Sequence, residues 1–394
     1  MEQAEGYVIP GKENLVCKLD KSIYGLKQSP RCWNLCLDEF LIVDLSFRRC
    51  LGDTTTYVRG SGSKTLYLGV YVDDMLIISR DPSEIKEVKA VLSKRFDMVD
   101  FDRVSMVLGI KVRYDIEAGV LTMSQERYVQ GLLLKFNMES SKQTVTPLSP
   151  SLKYTKEFEP KTEEEKQEMA GVPYRSAVGS LMYLMVSTRP DLASAIGILS
   201  RFLQNPGRLH WEGVKRVFRY IKETQNLGLT FKRAEKLELV GYTDSDWGGC
   251  PDTRKSTGAY VFLLGGAAVS WASKRQTAVA LSSCEAEYMA ACQAAKEAVW
   301  QRGLLEELEE PRQWPVEIRS DSQSGLNLMA NPVFHSKTKH IGIQYHYVRE
   351  LISKGDVTFS FCPTENMVAD SLTKSVNREK TEFCRRQMGL LPCA

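Results

Sequence analysis

Apolar and polar positions change their spacing twice along this chain, and each change marks a different kind of structure. In the first stretch, Thr65-Leu-Tyr-Leu-Gly-Val-Tyr-Val72 is β-branched and aromatic, Asp73-Asp74 follows, and Met75-Leu-Ile-Ile78 resumes the apolar run. Two apolar runs hinged on a short acidic tip predict a β-hairpin. Pro82 to Arg95 reads as a helix and Val107 to Tyr114 as another strand. The polar stretch from Ser140 to Lys166, with Pro147, Pro150, Pro160 and the run Glu163-Glu164-Glu165, predicts a connector.

Helical spacing then governs the chain from Tyr174 to Thr224. Trp211, Val214, Phe218 and Ile221 fall at i, i+3, i+7 and i+10, an apolar stripe, while Lys215, Arg219 and Lys222 line a different face. From Leu237 onward the order becomes strand, strand, strand, long helix, strand, helix. The strands are Leu239 to Thr243, Ala259 to Leu263, Ala268 to Trp271 and Val316 to Arg319. Cys284 to Leu308 is Ala-rich, which suits a helix lying close on a sheet. Pro311 and Pro315 punctuate before the last of these strands, and no internal repeat is present.

The length, 394 residues, suggests two or three domains, and 43% apolar with 26% charged residues is ordinary globular composition. A disordered chain is excluded. Lys+Arg 52 against Asp+Glu 49 leaves a net charge of only +3, so any nucleic-acid contact must come from local basic faces. One such face lies between Arg208 and Arg233, where seven basic residues stand against two acidic ones. The start, MEQAEGYVIPGKENL, lacks a basic and then apolar leader, and Gly265 and Gly266 interrupt the least polar stretch, so the expectation is an intracellular protein of cytoplasm or nucleus with no membrane partner. Ten cysteines without a CxxC pair read as reduced thiols, and four histidines leave little for a His-rich metal site.

Four carboxylates sit at the ends of predicted elements: Asp244, Glu287, Asp321 and Asp370. Each alone is most simply a turn or cap residue. Gathered, they would repel one another, and hard Mg²⁺ ions neutralise such a cluster because they take oxygen ligands. Two ions about 3.5–4 Å apart clamp the attacking and leaving oxygens of a phosphodiester. Glu285 and Glu287 lie about 200° apart on a helix. Ser282 followed by Glu285 fits a capping box, which leaves Glu287 for metal. Asp244 and Asp246 share a strand face, and spacing does not choose between them.

Several segments together resemble the ribonuclease H domain of Ty/copia-type retrotransposon Pol polyproteins, of the plant kind. They are Tyr242-Thr-Asp-Ser-Asp-Trp-Gly-Gly249, Arg254-Lys-Ser-Thr-Gly258, Ser270-Trp271, Ser282-Ser-Cys-Glu-Ala-Glu-Tyr288, Ser320-Asp-Ser-Gln323, Thr338-Lys-His-Ile341 and Ala369-Asp-Ser-Leu-Thr-Lys374. The resemblance implies Asp244, Glu287, Asp321 and Asp370 as the metal-binding catalytic quartet, holding two Mg²⁺ ions with Mn²⁺ as the substitute. Some relatives carry a mobile His where this chain has Cys362, which bears on turnover more than on the chemistry. His335, His340 and His346 match a family segment and receive no catalytic role.

Tyr71-Val-Asp-Asp74 resembles the reverse-transcriptase signature, with Asp73 and Asp74 as metal-ligand candidates. Lys18-Leu-Asp-Lys-Ser-Ile-Tyr-Gly-Leu-Lys-Gln-Ser-Pro-Arg31 with Trp33 is similar to the family's template- and nucleotide-positioning segment, including Lys27 and Arg31. Phe101 to Val112, Ser176 to Tyr183 and Thr188-Arg-Pro-Asp191 extend the likeness to almost the whole chain. The implied fold class is α/β and α+β. A polymerase palm remnant spans 1–145, lacking fingers and the first catalytic Asp, and thumb and connection helices span 146–235. A ribonuclease H-like mixed five-stranded sheet with flanking helices spans 236–376, and a tail spans 377–394. The missing strand would pair beside the hairpin, so a sheet edge should be exposed.

The leading expectation is a metal-dependent ribonuclease that cuts RNA in RNA–DNA hybrids, with autonomous DNA synthesis lost. Duplex contact would run through Lys215, Arg219 and Lys222 on the phosphates of RNA or DNA, read by shape rather than sequence. A non-catalytic nucleic-acid-binding remnant is the alternative, and a polymerase completed in trans by other Pol polyprotein segments is a third. No Ser or Cys nucleophile has a His–acid pair at recognisable spacing, so hydrolase readings of that kind fall away.

Overall fold

Alternate positions of Leu66–Tyr71 bury Leu66 and Leu68 and leave Tyr71 exposed, so this segment forms a half-buried strand. The description rests on a computed structural model of the chain and covers residues 1–309, 315–330 and 342–393. These fall into two units: 1–101 with 303–309, and 102–302 with 315–330 and 342–393. His335, His340 and the segment Thr338 to Ile341 lie outside the described residues, as does Pro311. Among the described residues no helix is long and apolar enough to cross a membrane.

The first unit holds an antiparallel sheet of β1 (Arg48–Arg49), β2 (Thr56–Arg59), β3 (Leu66–Tyr71) and β4 (Asp74–Ser79), in that order, with β4 at an edge. Val72, at φ +54°, makes the reversal between β3 and β4. Helix α1 (Ser29–Glu39) is fixed to that turn by the Trp33 indole, which donates to the Val72 carbonyl at 2.7 Å. Helix α2 (Pro82–Arg95) begins where Asp81 accepts the Ser83 N–H, with Pro82 at its first position. Leu37, Leu41, Tyr57, Leu66, Leu68, Val88 and Leu92 form the core.

The second unit contains two five-stranded sheets. In the first, β5 (Met106–Val107), β6 (Ile110–Asp115), β7 (Val120–Ser124) and β8 (Leu227–Lys232) pair antiparallel. Between β7 and β8 run α3 (Glu126–Lys135), α4 (Glu163–Ala170), α5 (Tyr174–Ser187), α6 (Ala193–Leu199) and α7 (Arg208–Glu223). The stripe read from the sequence points inward on α7: Val214, Phe218 and Ile221 are fully buried among Leu181, Ile196 and Leu199.

The second sheet is mixed. β9 (Val240–Asp246) pairs antiparallel with β10 (Thr257–Leu264), which pairs antiparallel with β11 (Ala267–Arg275). β9 also pairs parallel with β12 (Val316–Ser320), and that strand with β13 (Val357–Phe361). Helix α8 (Ser283–Glu307) buries Ala286, Ala290, Ala291, Ala294, Ala295 and Ala298, small side chains that let its axis lie close to the sheet. Helices α9 (Gln323–Ala330) and α10 (Gly342–Lys354) follow, then α11 (Asp370–Thr373) and α12 (Arg378–Gln387).

The segment read as a tail is structured. After α12 the chain turns at Gly389, φ +74°, where a Cβ would meet the Ala267 backbone and side chain within 2.6 Å. β14 (Leu390–Pro392) then pairs antiparallel with β8 and closes the first sheet in the order β14-β8-β7-β6-β5. Residues 102–145 sit with this unit rather than with the hairpin.

Candidate active site

Two strand ends and one helix converge in the second unit. β9 delivers Asp244, the residue after β12 is Asp321, and the first turns of α8 deliver Glu287. One carboxylate oxygen from each of the three lies within 4.8 Å of the others, the sole such group of three acids, cysteines or histidines among the described residues. Asp244 is buried at 2% exposure and Glu287 at 9%.

The neighbouring groups fix these carboxylates by donating to one oxygen each. Ser245 donates both its backbone N–H and its hydroxyl to Glu287 Oε1, each at 3.2 Å. Thr364 donates to Asp321 Oδ2 at 2.8 Å, and the Thr373 hydroxyl donates to Asp244 Oδ2. Glu287 Oε2 is buried with no hydrogen-bond partner in the protein. An orphaned anionic oxygen is costly, and a hard cation is the kind of group that satisfies it. The donor set, all carboxylate oxygen, fits Mg²⁺ or Mn²⁺.

Asp370 opens α11 and is 2% exposed, but it stands outside the mutual group of three. Lysines hold it instead. Lys374 Nζ lies 2.7 Å from Asp370 Oδ1 and 3.8 Å from Asp244 Oδ2, and Lys380 Nζ lies 3.0 Å from Asp370 Oδ2. Burial raises the Asp244 carboxyl above its ordinary range, opposed by Lys374 and helped by the Asp370 charge. Burial raises Glu287 too, reinforced by the charges of Asp244 and Asp321. Both shifts describe a cluster short of positive charge.

Contacts bear on the pair that spacing left open, Asp244 and Asp246, and on Glu285. Asp246 Oδ1 accepts the Thr257 N–H across the β9–β10 ladder, so a structural bond occupies it. Glu285 accepts the Leu281 N–H at 2.8 Å while Ser282 Oγ accepts the Glu285 N–H at 3.2 Å, a reciprocal cap. Cys362 is buried, its thiol pushed up chiefly by that burial. His346 is exposed.

Asp73 and Asp74 are exposed at the hairpin of the first unit, and the described residues supply no third ligand to them. Lys27 and Arg31 are exposed in the same unit. The basic face of α7 is already engaged: Lys215 and Arg219 both pair with Glu212, the latter at 3.5 Å, and Lys222 donates to the Ser141 carbonyl at 2.7 Å. The residues that spacing did not single out are Ser245, Thr364, Thr373, Lys374 and Lys380. Of these only Lys374 carries a sequence signal, a basic residue four positions after Asp370; it lies just past the end of α11, in extended backbone.

Comparison with known proteins gives a consistent likeness. The family described as Reverse transcriptase (RNA-dependent DNA polymerase) matches residues 1–150. The chain is 44% identical over 390 residues to the retrovirus-related Pol polyprotein from transposon TNT 1-94 of Nicotiana tabacum, covering 99% of this chain and 29% of that protein. It is 38% identical to the Pol polyprotein from transposon RE1 of Arabidopsis thaliana, covering 99% and 26%. It is 32% identical over 299 residues to a putative transposon Ty5-1 protein of Saccharomyces cerevisiae, covering 75% of this chain and 94% of that one. The chain thus spans well under a third of the two Pol polyproteins it matches. Among solved structures, LC11-RNase H1 from compost is 20% identical, covering 34% of this chain and 91% of that chain at a TM-score of 0.28.

Proposed function

Because this chain belongs to the Ty/copia-type retrotransposon Pol polyproteins, we propose that its second unit is a divalent-metal ribonuclease acting on the RNA strand of RNA–DNA hybrids. The observation that carries the reading is the convergence of Asp244, Glu287 and Asp321 around a buried, unpartnered Glu287 Oε2. Asp244, Glu287 and Asp321 would hold the ions, with Asp370 as the fourth, outer ligand. Two divalent ions, when bound, supply an activated water and relieve charge on the departing 3′-oxygen.

The chain's own residues do the rest. Ser245 and Thr364 each hold one oxygen of Glu287 and Asp321, which sets the orientation of the carboxylates before substrate arrives. Lys374 and Lys380 offset the Asp370 charge and keep the acidic centre from repelling a phosphodiester backbone. The thumb reading of 146–235 and the palm reading of 1–145 belong to the same proposal. Lys215, Arg219 and Lys222 would meet phosphates only by exchanging Glu212 and the Ser141 carbonyl for them.

The test is cleavage of a labelled hybrid with a Mg²⁺ titration. Cleavage is expected in the wild type, and Asp321→Asn is expected to lose it; equal rates in the two would refute the assignment. A second expectation concerns Asp73 and Asp74, exposed and without a third ligand among the described residues. Nucleotidyl transfer needs a carboxylate bridging both ions, so the chain alone should not extend an annealed primer. Template-directed extension by the purified chain would reverse that reading.

A further inference from the structure

Trp247 follows the last residue of β9, three positions beyond Asp244. It is the most exposed aromatic residue of the second unit among the described residues, at 60%. Its polar end is nevertheless not in water. The indole N–H donates at 3.1 Å to the carbonyl of Ala280, a residue only 4% exposed. A surface tryptophan ordinarily hides its ring and wets its N–H. Here the arrangement is reversed: the N–H is spent on the protein and the ring faces outward.

The bond also joins two segments that build the site. Trp247 continues the strand bearing Asp244, and Ala280 leads into the capped start of α8, which bears Glu287. Beside it Val279 and Leu281 are exposed, the latter at 74%, so the aromatic plate continues into a small apolar rim. Lys255 closes over the same segment by donating to the Thr277 carbonyl, and Ser256 accepts the Gly248 N–H at 3.0 Å, which fastens the loop that follows Trp247. The ring is therefore held by its N–H between the strand that bears Asp244 and the segment that leads to Glu287.

A fixed, outward aromatic face matches what a nucleic acid strand offers: base and sugar faces that stack. We infer that Trp247 is the platform on which a nucleotide of the hybrid, next to the bond being cut, packs its sugar or base. This rests on the nuclease reading. The contact is the same in the ground state and the transition state, so it sets how tightly the hybrid is held and not how fast the bond breaks.

The experiment uses the whole chain and a short labelled RNA–DNA hybrid. Binding is measured in Ca²⁺, which takes the same oxygen ligands, and cleavage in Mg²⁺. Trp247→Ala removes the ring and the N–H, whereas Trp247→Phe keeps one six-membered aromatic ring and loses the pyrrole half with its N–H. Stacking on one aromatic is worth a change in affinity of roughly 5- to 150-fold. Trp247→Ala should weaken hybrid binding by that factor and raise KM with little change in kcat, while Trp247→Phe stays close to the wild type. Hybrid should quench wild-type tryptophan fluorescence more than that of Trp247→Phe. A purely structural clamp predicts a different pattern, with both variants melting lower and neither altering affinity. Unchanged binding in both variants, with wild-type cleavage intact, overturns the platform and leaves the nuclease standing. A wild type that neither binds nor cuts the hybrid overturns both.

Discussion

Glu287→Gln is expected to abolish hybrid cleavage and, in the absence of metal, to make the protein more stable. Burial together with the Asp244 and Asp321 charges favours the protonated form of Glu287 in the fold. A carboxyl raised in this way stabilises the fold fully below its ordinary value of 4.5, and that contribution is lost as pH rises toward the raised value. Asp244 is raised by burial as well, so it acts in the same direction. The metal-free protein should therefore lose stability as pH climbs out of the carboxylate range, and Mg²⁺ or Mn²⁺ should restore it increasingly over the same interval.

Gln keeps the shape of Glu287, and its amide oxygen still accepts from Ser245, but it carries no charge. Removing about 1–2 kcal/mol of the cost of keeping Glu287 protonated, one pKa unit being worth about 1.4 kcal/mol, at about 2–4 °C per kcal/mol for a domain of this size, predicts a midpoint about 2–8 °C higher in EDTA at pH 8. The same variant should show no stabilisation by Mn²⁺, and cleavage lower by about 10²–10³-fold or more. Glu285→Gln is the matched control. Its amide still accepts the Leu281 N–H, so cleavage should persist. Scanning calorimetry from pH 5 to 9, with EDTA and with Mn²⁺, reads all of this. A metal-free midpoint that falls in Glu287→Gln would mean that the carboxylate is satisfied without a cation.

How much of this could be read in the amino-acid order differs from residue to residue. Helix α2 occupies the span Pro82 to Arg95 that the sequence predicts, because local chemistry decides it: Asp81 caps the start and Pro82 takes the first position. The β3–β4 hairpin and the strands β9 to β12 follow for the same reason: their apolar runs are long and their turns contain the expected residues. Strands β8 and β14 are among those the sequence reading passes over. Leu227, Leu229 and Phe231 alternate with Gly228, Thr230 and Lys232, but this period-two run trails directly from a helix and is masked by it. Leu390–Pro392 is too short to carry a period and is a strand because β8 offers it an edge.

The site divides along the same line. The four carboxylates stand out by position, but the choice of Asp244 over Asp246 depends on the Thr257 N–H, which is eleven residues away and meets Asp246 only through the β9–β10 register. The basic face of α7 shows the converse. Its charges are plain in the sequence, yet Glu212 on the same helix takes two of them, and charge counting along a chain does not register a partner one turn away as a cost.

The other large expected effect lies away from the carboxylates, in Arg189. Its side chain is 1% exposed and makes a two-pronged pair with Asp191, Nε to Oδ1 at 2.9 Å and Nη2 to Oδ2 at 2.7 Å. The guanidinium also donates to the Thr224 hydroxyl at 2.7 Å and carbonyl at 3.2 Å, and the Tyr220 hydroxyl donates to Asp191 at 2.6 Å. Burial alone would drive both groups toward neutrality; each holds the other charged, Arg189 raised and Asp191 lowered. This knot fastens the turn at Pro190–Leu192 to the end of α7.

Arg189→Ala would leave the buried Asp191 carboxylate with the Tyr220 hydroxyl as its bonded donor and only the Arg385 charge nearby. Breaking one side of a buried pair costs about 3–5 kcal/mol, which at about 2–4 °C per kcal/mol lowers the midpoint by about 6–20 °C. Removing both charges is a different experiment. Arg189→Met with Asp191→Leu and Tyr220→Phe deletes the pair and its donor together, and should recover most of the loss, because an apolar trio satisfies itself. Asp191 also lines one small cavity with Ser371 and Lys374, residues of the segment that carries Asp370. The damage in Arg189→Ala should therefore extend to the nuclease, lowering cleavage even at temperatures where the variant remains folded, while the triple variant keeps it. Thermal melts and hybrid cleavage on the two variants separate these outcomes. An Arg189→Ala protein that melts with the wild type would mean that water reaches Asp191 readily, and the two sheets rather than this pair would then hold the unit together.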